Sequence, residues 1–172
     1  MIITLTGFMG CGKSTVGKLL SRLLPGHTLT DLDCYIEQKS GKKVSEIFAE
    51  EGEAAFRKME EECLRELIQD GKDRIISLGG GTVMSAACFE LVHNNSRCVY
   101  LKADAKTIRE HLTANCSLEK AAQKRPMLRG NGIEELLGRR EPVYESVAHM
   151  VVETDGRDAR SIAEEISWRL GL

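Results

Sequence analysis

The chain has 172 residues, which is long enough for one domain with a substantial core and short for two. Its composition, 42% hydrophobic and 29% charged residues, is that of an ordinary globular domain. The formal net charge of −2 supplies no overall field that would attract nucleic acid or an anionic membrane, so any anion must be bound at a local site.

Short apolar runs alternate with amphipathic segments along the chain, and Gly or Pro stands at many of the boundaries. In chain order, the pattern predicts a strand at 1–6, a helix at 13–24, a strand at 28–32, helices at 34–39, 44–50 (with Ser45 as its cap) and 53–69, a strand at 74–78, a helix at 86–93, a strand at 98–101, a helix at 105–112, a partly helical segment at 134–147, a strand at 149–153 and a helix at 161–170.

Strands that alternate with helices, most of them apolar throughout, indicate an α/β fold with a parallel sheet covered on both faces. We see no internal repeat, low-complexity tract or linker, so we expect a single domain over residues 1–172. The polar stretch at 115–132 is rich in charge and Gly and predicts a mobile loop.

The six cysteines lie at least ten positions apart and form neither a CxxC pair nor a zinc-ligand pattern with the four histidines. We therefore expect reduced thiols, most of them buried. The sequence has no basic leader at its start and no apolar run of the ~20 residues that would span a bilayer. A cytoplasmic protein without membrane partners is the expectation.

The most specific motif is GFMGCGKS at residues 7–14, which fits GxxxxGK[ST] and stands between a predicted strand and a predicted helix. Its glycines let backbone N–H groups surround the β- and γ-phosphates of a nucleotide, and the helix N-terminus adds its dipole. Lys13 would bridge the phosphates, and Ser14 would offer its hydroxyl to Mg²⁺. The expected nucleotide contacts of this loop are Gly10, Cys11, Gly12, Lys13, Ser14 and Thr15.

Two acidic side chains and three glycines follow neighbouring predicted strands, at the sheet edge where α/β proteins bind their ligands. Asp31 and Asp33 are separated by one residue, and an extended backbone would point both carboxylates the same way; a solvated strand end or a helix N-cap is the alternative. The run Gly79-Gly80-Gly81 is unusual unless the backbone must approach another group closely, although a sharp turn would also explain it.

Arginines provide the expected anion contacts. Arg57 lies at the edge of the apolar stripe of its helix, where it could bind a carboxylate, pair with Glu60 or Glu61, or do both. Arg125 lies in the predicted loop, where a closing arginine could stabilise charge on a transferring phosphoryl group. Surface solvation is the usual alternative for any one loop arginine.

Together these residues resemble the shikimate kinase family across nearly the whole chain. The matching pieces, in order, are GFMGCGKST, the DLD at Asp31–Asp33, IFAEEGEAAFRKMEE, SLGGG, RPML, RREPVY and ETDGR. The resemblance implies a five-stranded parallel sheet of order 2-3-1-4-5, a substrate-binding helical region at 33–60 and a lid at about 113–130. It also implies transfer of the γ-phosphoryl group of Mg-ATP to the 3-hydroxyl of shikimate, which gives shikimate 3-phosphate and ADP for aromatic amino-acid biosynthesis.

On the acceptor side, the resemblance implies that Asp33 binds the hydroxyl to be phosphorylated and accepts its proton. It assigns Arg57 and Arg140 to the substrate carboxylate, and it places Gly79, Gly80 and Gly81 against the ring. Arg139 precedes Arg140, and the choice between them rests on the alignment of Pro142-Val143-Tyr144.

On the nucleotide side, the resemblance assigns Asp31 to Mg²⁺ alongside Ser14, with water between. Lys13 and Arg125 would contact the transferring phosphate, and Arg157 would pack on the adenine.

Two other functions remain open from the residues alone. A related small-molecule kinase acting on gluconate or a nucleoside monophosphate would share the nucleotide site, although two acceptor-side arginines favour an anionic acceptor. A nucleotide-dependent switch is less consistent with the sequence, because the chain lacks an Asn-Lys-x-Asp guanine-reading tetrapeptide. A monomer is the default expectation, since no helix carries an obvious surplus apolar face.

Overall fold

The computed structural model describes residues 1–114, 120 and 132–172. Most of the predicted lid at about 113–130, including Arg125, lies outside the described residues, so the lid stays a prediction. No helix of the described part combines the length and the apolarity that crossing a bilayer would require.

The described residues form strands and helices in the predicted order, and the bounds agree to within a few residues. The strands are β1 (Ile2–Thr6), β2 (Thr28–Asp31), β3 (Arg74–Ser77), β4 (Arg97–Lys102) and β5 (Met150–Glu153). The helices are α1 (Lys13–Leu23), α2 (Leu32–Ser40), α3 (Val44–Gln69), α4 (Ala86–Asn95), α5 (Ala105–Thr113), α6 (Gly132–Val147) and α7 (Ala159–Leu170), with a short 3-10 helix at Thr82–Met84.

The five described strands form one parallel sheet of order β2-β3-β1-β4-β5, which confirms the expected topology. The central strand β1 pairs with β3 through Ile3↔Ile75 and with β4 through Leu5↔Val99. These four side chains are fully buried, as expected for strands covered on both faces. Helices α1 and α7 pack against each other, as do α4 and α6, which also contact β4.

Helix α3 is interrupted at Gly52, which has φ 85° and ψ 171°. This conformation is accessible to glycine almost alone, and it explains why the sequence predicts two helical pieces at 44–50 and 53–69. The expected cap at Ser45 is wrong: the helix begins one residue earlier, and the Glu46 carboxylate accepts a hydrogen bond from the Lys43 N–H at 2.7 Å. Together α2 and the first half of α3 make up the helical region predicted at 33–60.

Candidate active site

The GFMGCGKS loop connects the end of β1 to the start of α1, as its motif requires. Gly12 caps the helix in a left-handed conformation (φ 99°), and Gly10 also has a positive φ of 78°. The Lys13 ammonium donates to the carbonyl oxygens of Gly7 (2.7 Å) and Phe8 (3.0 Å), which holds the lysine across the mouth of the loop. The sequence motif therefore has the backbone that a phosphate cradle needs.

A cleft of about 550 Å³ opens beside this loop. It is lined by residues from both the predicted nucleotide site and the predicted acceptor site. Its wall includes the P-loop from Met9 to Val16, the carboxylates of Asp31 and Asp33, the first two glycines of the triplet, and Arg157 from the loop before α7. The nucleotide-side residues thus share one cavity with Asp33, Gly79 and Gly80 of the predicted acceptor side. Ser14 and Thr15 are exposed to it, whereas the Cys11 side chain is only 2% exposed and faces the core.

Asp31 and Asp33 reach this cleft by a geometry that differs from the sequence expectation. Strand β2 ends at Asp31, and α2 begins at Leu32. Asp31 therefore has an extended backbone and Asp33 a helical one, so the two side chains are not placed by a common strand. Asp31 caps the helix by accepting a hydrogen bond from the Cys34 N–H at 3.1 Å, and Asp33 lies in the first helical turn. Asp31 is therefore a helix N-cap, which was the alternative interpretation from the sequence. It also lines the cleft.

Burial raises the pKa of Asp33 to about 6, from an ordinary value of 3.8. Burial is the largest cause of this value; the neighbouring charges of Asp31 and Glu60 also contribute to the rise, and the charge of Lys13 opposes it. A carboxyl group that ionises near neutral pH can take up a proton and release it again, which is the property of a general base.

The glycine triplet brings three ionic side chains together. A Cβ atom built on Gly79 would lie 3.2 Å from Asp33 Oδ1, and one on Gly80 would lie 3.4 Å from Arg140 Nη1. A Cβ on Gly81 would collide with Arg57 Nη2 at 2.6 Å. The triplet is therefore a backbone surface against which these groups pack, as the close-approach interpretation predicts.

Arg57 is oriented by a buried carboxylate. Its Nη1 donates to Glu60 at 2.7 Å, and Glu60 is only 1% exposed. The other oxygen of Glu60 accepts a hydrogen bond from the Thr82 hydroxyl at 2.5 Å. The predicted intrahelical pair is thus present, and it fixes a guanidinium that remains 26% exposed at the triplet.

Arg139 and Arg140 occupy different environments on α6. Arg140 packs against Gly80, and its guanidinium lies 5.9 Å from the centre of the Phe8 ring in the P-loop. Arg139 is exposed. The geometry therefore favours Arg140, rather than Arg139, as the residue that lies beside the glycine triplet.

The far wall of the cleft lies between α5 and α7. Arg157 donates to the Glu153 carbonyl at 3.0 Å and forms a 2.7 Å ion pair with Glu165, which leaves its planar guanidinium at the cleft wall. His111 of α5 donates from Nδ1 to the Gly10 carbonyl at 2.6 Å and also lines the cleft.

The oxygen donors of the cleft suit Mg²⁺, which usually takes one or two carboxylates and keeps substrate phosphates and water for the rest of its shell. Ser14, Asp31 and Asp33 supply such oxygens beside the P-loop. Within residues 1–114, 120 and 132–172, no group of three or more His, Cys, Asp or Glu side chains could hold a metal by itself. These three residues thus offer part of a magnesium shell, which phosphate oxygens and water would complete.

Comparison with known proteins identifies this arrangement. The shikimate kinase family model matches residues 9–170. The chain belongs to the shikimate kinase family. A shikimate kinase of Thermus thermophilus is 43% identical over 176 residues, with 98% of this chain and 89% of that protein covered. One of Chlorobium chlorochromatii is 41% identical over 181 residues, with 98% and 90% covered.

A solved structure of a shikimate kinase agrees with this assignment. The enzyme from Acinetobacter baumannii in complex with shikimate has a TM-score of 0.85 and 34% identity, with 99% of this chain and 93% of that chain covered. Membership in the shikimate kinase family makes the chain an ATP-dependent kinase, as the P-loop predicts.

Several residues that contact the candidate site were not identified from the sequence. Glu60 was considered only as a surface partner of Arg57, although it falls in the buried stripe of α3 between Phe56 and Leu64, and a charge in such a stripe is a signal. The contacts of Thr82 and His111 left no such signal, because they depend on residues distant in the chain.

The raised pKa of Asp33 predicts how its replacement changes stability with pH. A carboxyl group whose pKa is raised on folding contributes stability that is fully present below the unfolded value, 3.8, and is lost as the pH rises through about 6. Ligand-free Asp33→Asn, which cannot ionise, should therefore melt roughly 2–6 °C above the unmodified protein at about pH 8. The difference should shrink as the pH falls through about 6 and vanish only below the unfolded value of 3.8, as thermal melts between about pH 8 and about pH 3.5 would show.

Asp70→Asn is the matched control with the opposite sign. The Arg74 guanidinium lowers the pKa of Asp70 to about 2, so its stabilisation is present above the unfolded value and is lost as the pH falls through about 2. Removing that charge should lower the melting temperature at about pH 8. A loss of stability in Asp33→Asn at this pH, or a gain independent of pH, would contradict the burial of an ionised Asp33.

Proposed function

We propose that this chain transfers the γ-phosphoryl group of ATP to the 3-hydroxyl of shikimate, with the residues of the cleft in the roles that follow. The observation that carries the proposal is the position of the glycine triplet. A Cβ on Gly80 would lie 3.4 Å from both the Met9 backbone nitrogen in the P-loop and the Arg140 guanidinium. The phosphate cradle and an acceptor-side charge therefore both pack against one glycine.

On the nucleotide side, backbone N–H groups of the P-loop and the Lys13 ammonium bind the β- and γ-phosphates. Lys13 donates to the Gly7 and Phe8 carbonyls in this structure, so it can exchange these acceptors for phosphate oxygens without a large movement. Arg157 provides a flat cation against which the adenine packs. Arg125 stays predicted as the lid arginine that neutralises the transferring phosphate.

On the acceptor side, Arg57 and Arg140 bind the substrate carboxylate. Both guanidiniums pack on the triplet within the same neighbourhood as Asp33, which supports a site for an acceptor that carries an anion and a hydroxyl. Gly79, Gly80 and Gly81 present a surface without side chains against the ring. A carboxylate held by two arginines fixes the orientation of the ring relative to Asp33.

The transfer forms one bond and breaks one. The 3-hydroxyl oxygen of shikimate bonds to the γ-phosphorus while the bond from that phosphorus to the β–γ bridging oxygen breaks, and ADP leaves. The hydroxyl proton passes to the Asp33 carboxylate, whose pKa near 6 lets it accept the proton and return it to solvent. The chain's contribution is mainly positioning and charge neutralisation.

Mg²⁺ fits this site through Ser14 and Asp31, and when bound it would neutralise phosphate charge and orient the β- and γ-phosphates. The capping hydrogen bond from Cys34 holds the Asp31 carboxylate in place for a water-mediated contact. A monomeric state and a cytoplasmic location stay predictions from the sequence.

The assay that tests the function measures ADP release by purified protein with Mg-ATP, with and without shikimate. Strong dependence on shikimate is the expected result. Gluconate and AMP are tested in parallel as control acceptors. They represent the gluconate kinases and nucleoside-monophosphate kinases, with which a P-loop alone would also be compatible. Turnover with either of them but not with shikimate would overturn the acceptor, and an absence of acceptor-dependent turnover would overturn the kinase.

Asp33→Asn should lower kcat for shikimate phosphorylation by at least ~10²-fold, because the base is lost while the shape of the side chain is kept. ATP binding, followed by equilibrium titration, should remain within about threefold of the unmodified protein, since the P-loop is intact. In the unmodified enzyme, kcat/KM for shikimate should fall as the pH is lowered through about 6. Nearly unchanged turnover in Asp33→Asn would remove the residue from the proton transfer.

Arg140→Ala and Arg139→Ala form a matched pair on adjacent positions of α6. Arg140→Ala should raise the KM for shikimate by ~10- to 100-fold, because a charge-assisted contact to the carboxylate is lost. Arg139→Ala should leave that KM within about twofold, as expected for an exposed side chain. Steady-state kinetics at saturating ATP would measure both, and equal effects of the two changes would refute the assignment of Arg140.

A further inference from the structure

Tyr144 connects the acceptor site to the core in a way that the reaction chemistry does not require. The residue lies on α6 and is fully buried. Its hydroxyl donates a hydrogen bond to the Gly80 carbonyl oxygen at 2.5 Å, across 64 residues of sequence. The Arg140 guanidinium, one helical turn earlier, packs against the same Gly80, and its charge acts on the Tyr144 phenol. One buried side chain is thus linked to two components of the site, to Gly80 by a hydrogen bond and to Arg140 by proximity.

The backbone turn holds the carbonyls on either side of Gly80: Gly79 accepts from the Thr82 N–H at 3.2 Å and Gly81 from the Met84 N–H at 3.1 Å. The Tyr144 hydroxyl supplies the hydrogen bond to the Gly80 carbonyl between them. Gly79, Gly80 and Gly81 have no Cβ atoms, so the peptide units between them can adopt many orientations at little steric cost. The C=O of Gly80 and the N–H of Gly81 belong to one planar peptide and point in opposite directions. A hydrogen bond that fixes the carbonyl therefore fixes the whole peptide against which the substrate ring would rest.

Arg140 depends on the same side chain. Residues four positions apart on a helix lie on one face, so Arg140 and Tyr144 approach Gly80 together. The Arg140 guanidinium is held between Gly80 on one side and the Phe8 ring on the other. Desolvation raises the pKa of Tyr144 to about 12, and the nearby Arg140 charge opposes this rise. The phenol therefore stays protonated and remains a donor at neutral pH.

We propose that Tyr144 is a positioning residue for shikimate binding, which acts by fixing the Gly80 peptide and the Arg140 guanidinium in one arrangement. The proposal rests on the proposed function, because it assumes that Arg140 binds the acceptor carboxylate. Tyr144 touches neither substrate in this proposal. Its effect is carried entirely by the Gly80 peptide and by the Arg140 guanidinium that packs on it.

The chain contains a matched control in Tyr100. This residue lies on β4, is 1% exposed and packs against Tyr144 with ring centres 5.2 Å apart. Its buried hydroxyl finds no hydrogen-bond partner among the described residues. Removing the hydroxyl of either tyrosine thus makes the same chemical change in the same part of the core. Only the change at Tyr144 deletes a hydrogen bond to the site.

The experiment compares Tyr144→Phe and Tyr100→Phe by steady-state kinetics and thermal melts, with the unmodified enzyme alongside. Tyr144→Phe should raise the KM for shikimate by roughly tenfold, as expected for one lost hydrogen bond at the site. The KM for ATP should stay within about twofold, because the P-loop is untouched. Tyr100→Phe should leave both constants within about twofold and should not lower the melting temperature.

A second measurement uses Arg140→Lys as the background. If Tyr144 acts through Arg140, Tyr144→Phe should raise the shikimate KM less in this background than in the unmodified enzyme. A merely structural tyrosine would lower the melting temperature and leave the ratio of the two KM values unchanged, and that result would overturn the proposal. If the unmodified enzyme turned over shikimate while Tyr144→Phe kept its KM, only the positioning role would fail. Loss of the shikimate reaction in the unmodified enzyme would instead refute the proposed function.

Discussion

The absence of three Cβ atoms at Gly79, Gly80 and Gly81 is the constraint on which the site depends. These glycines follow β3 at the edge of the sheet where the P-loop follows β1, and each one is in contact with a different charged group. A side chain at Gly81 would collide with Arg57, and one at Gly79 would crowd Asp33. Three consecutive glycines lower the stability of the fold, because each loses more conformational entropy on folding than another residue would. In return, the bound phosphate and the acceptor hydroxyl can approach each other closely enough to react.

Flexible backbone at a site has to be restrained by something rigid, and the surrounding contacts supply that restraint. The Thr82 hydroxyl donates to the buried Glu60 carboxylate and so joins the loop after β3 to α3. The same carboxylate accepts from Arg57 of α3 and orients its guanidinium. Tyr144 fastens the same loop to α6. Buried polar groups of this kind are costly when left unpaired, and here each hydrogen bond that satisfies one also orders a part of the site.

The fold and the nucleotide half of the site could be predicted because their signals are local. Apolar runs and amphipathic periods determine strands and helices over a few residues, and the P-loop is one continuous segment with a fixed backbone requirement. The geometry of Asp31 and Asp33 was harder, since Thr-Asp-Leu-Asp suits both the end of a strand and the start of a helix. The helix prevailed at Leu32, with Asp31 as its cap, because the capped turn satisfies an N–H that an extended chain would leave to solvent.

The choice between Arg139 and Arg140 shows where a longer argument from sequence would have succeeded. The buried positions of α6 are Ile133, Leu137, Tyr144 and Val147, and spacings of three and four residues place position 140 on the same stripe. Arg140 therefore interrupts a buried stripe with a charge, and such a charge needs a partner or a ligand. Arg139 lies off the stripe and is exposed. Glu60 interrupts the stripe of α3 in the same way, and both of these charges face the glycine triplet. The sequence does not reveal how α3 and α6 are placed relative to each other. That placement brings Glu60 and Arg140, two charges in otherwise buried stripes, to the same glycine triplet.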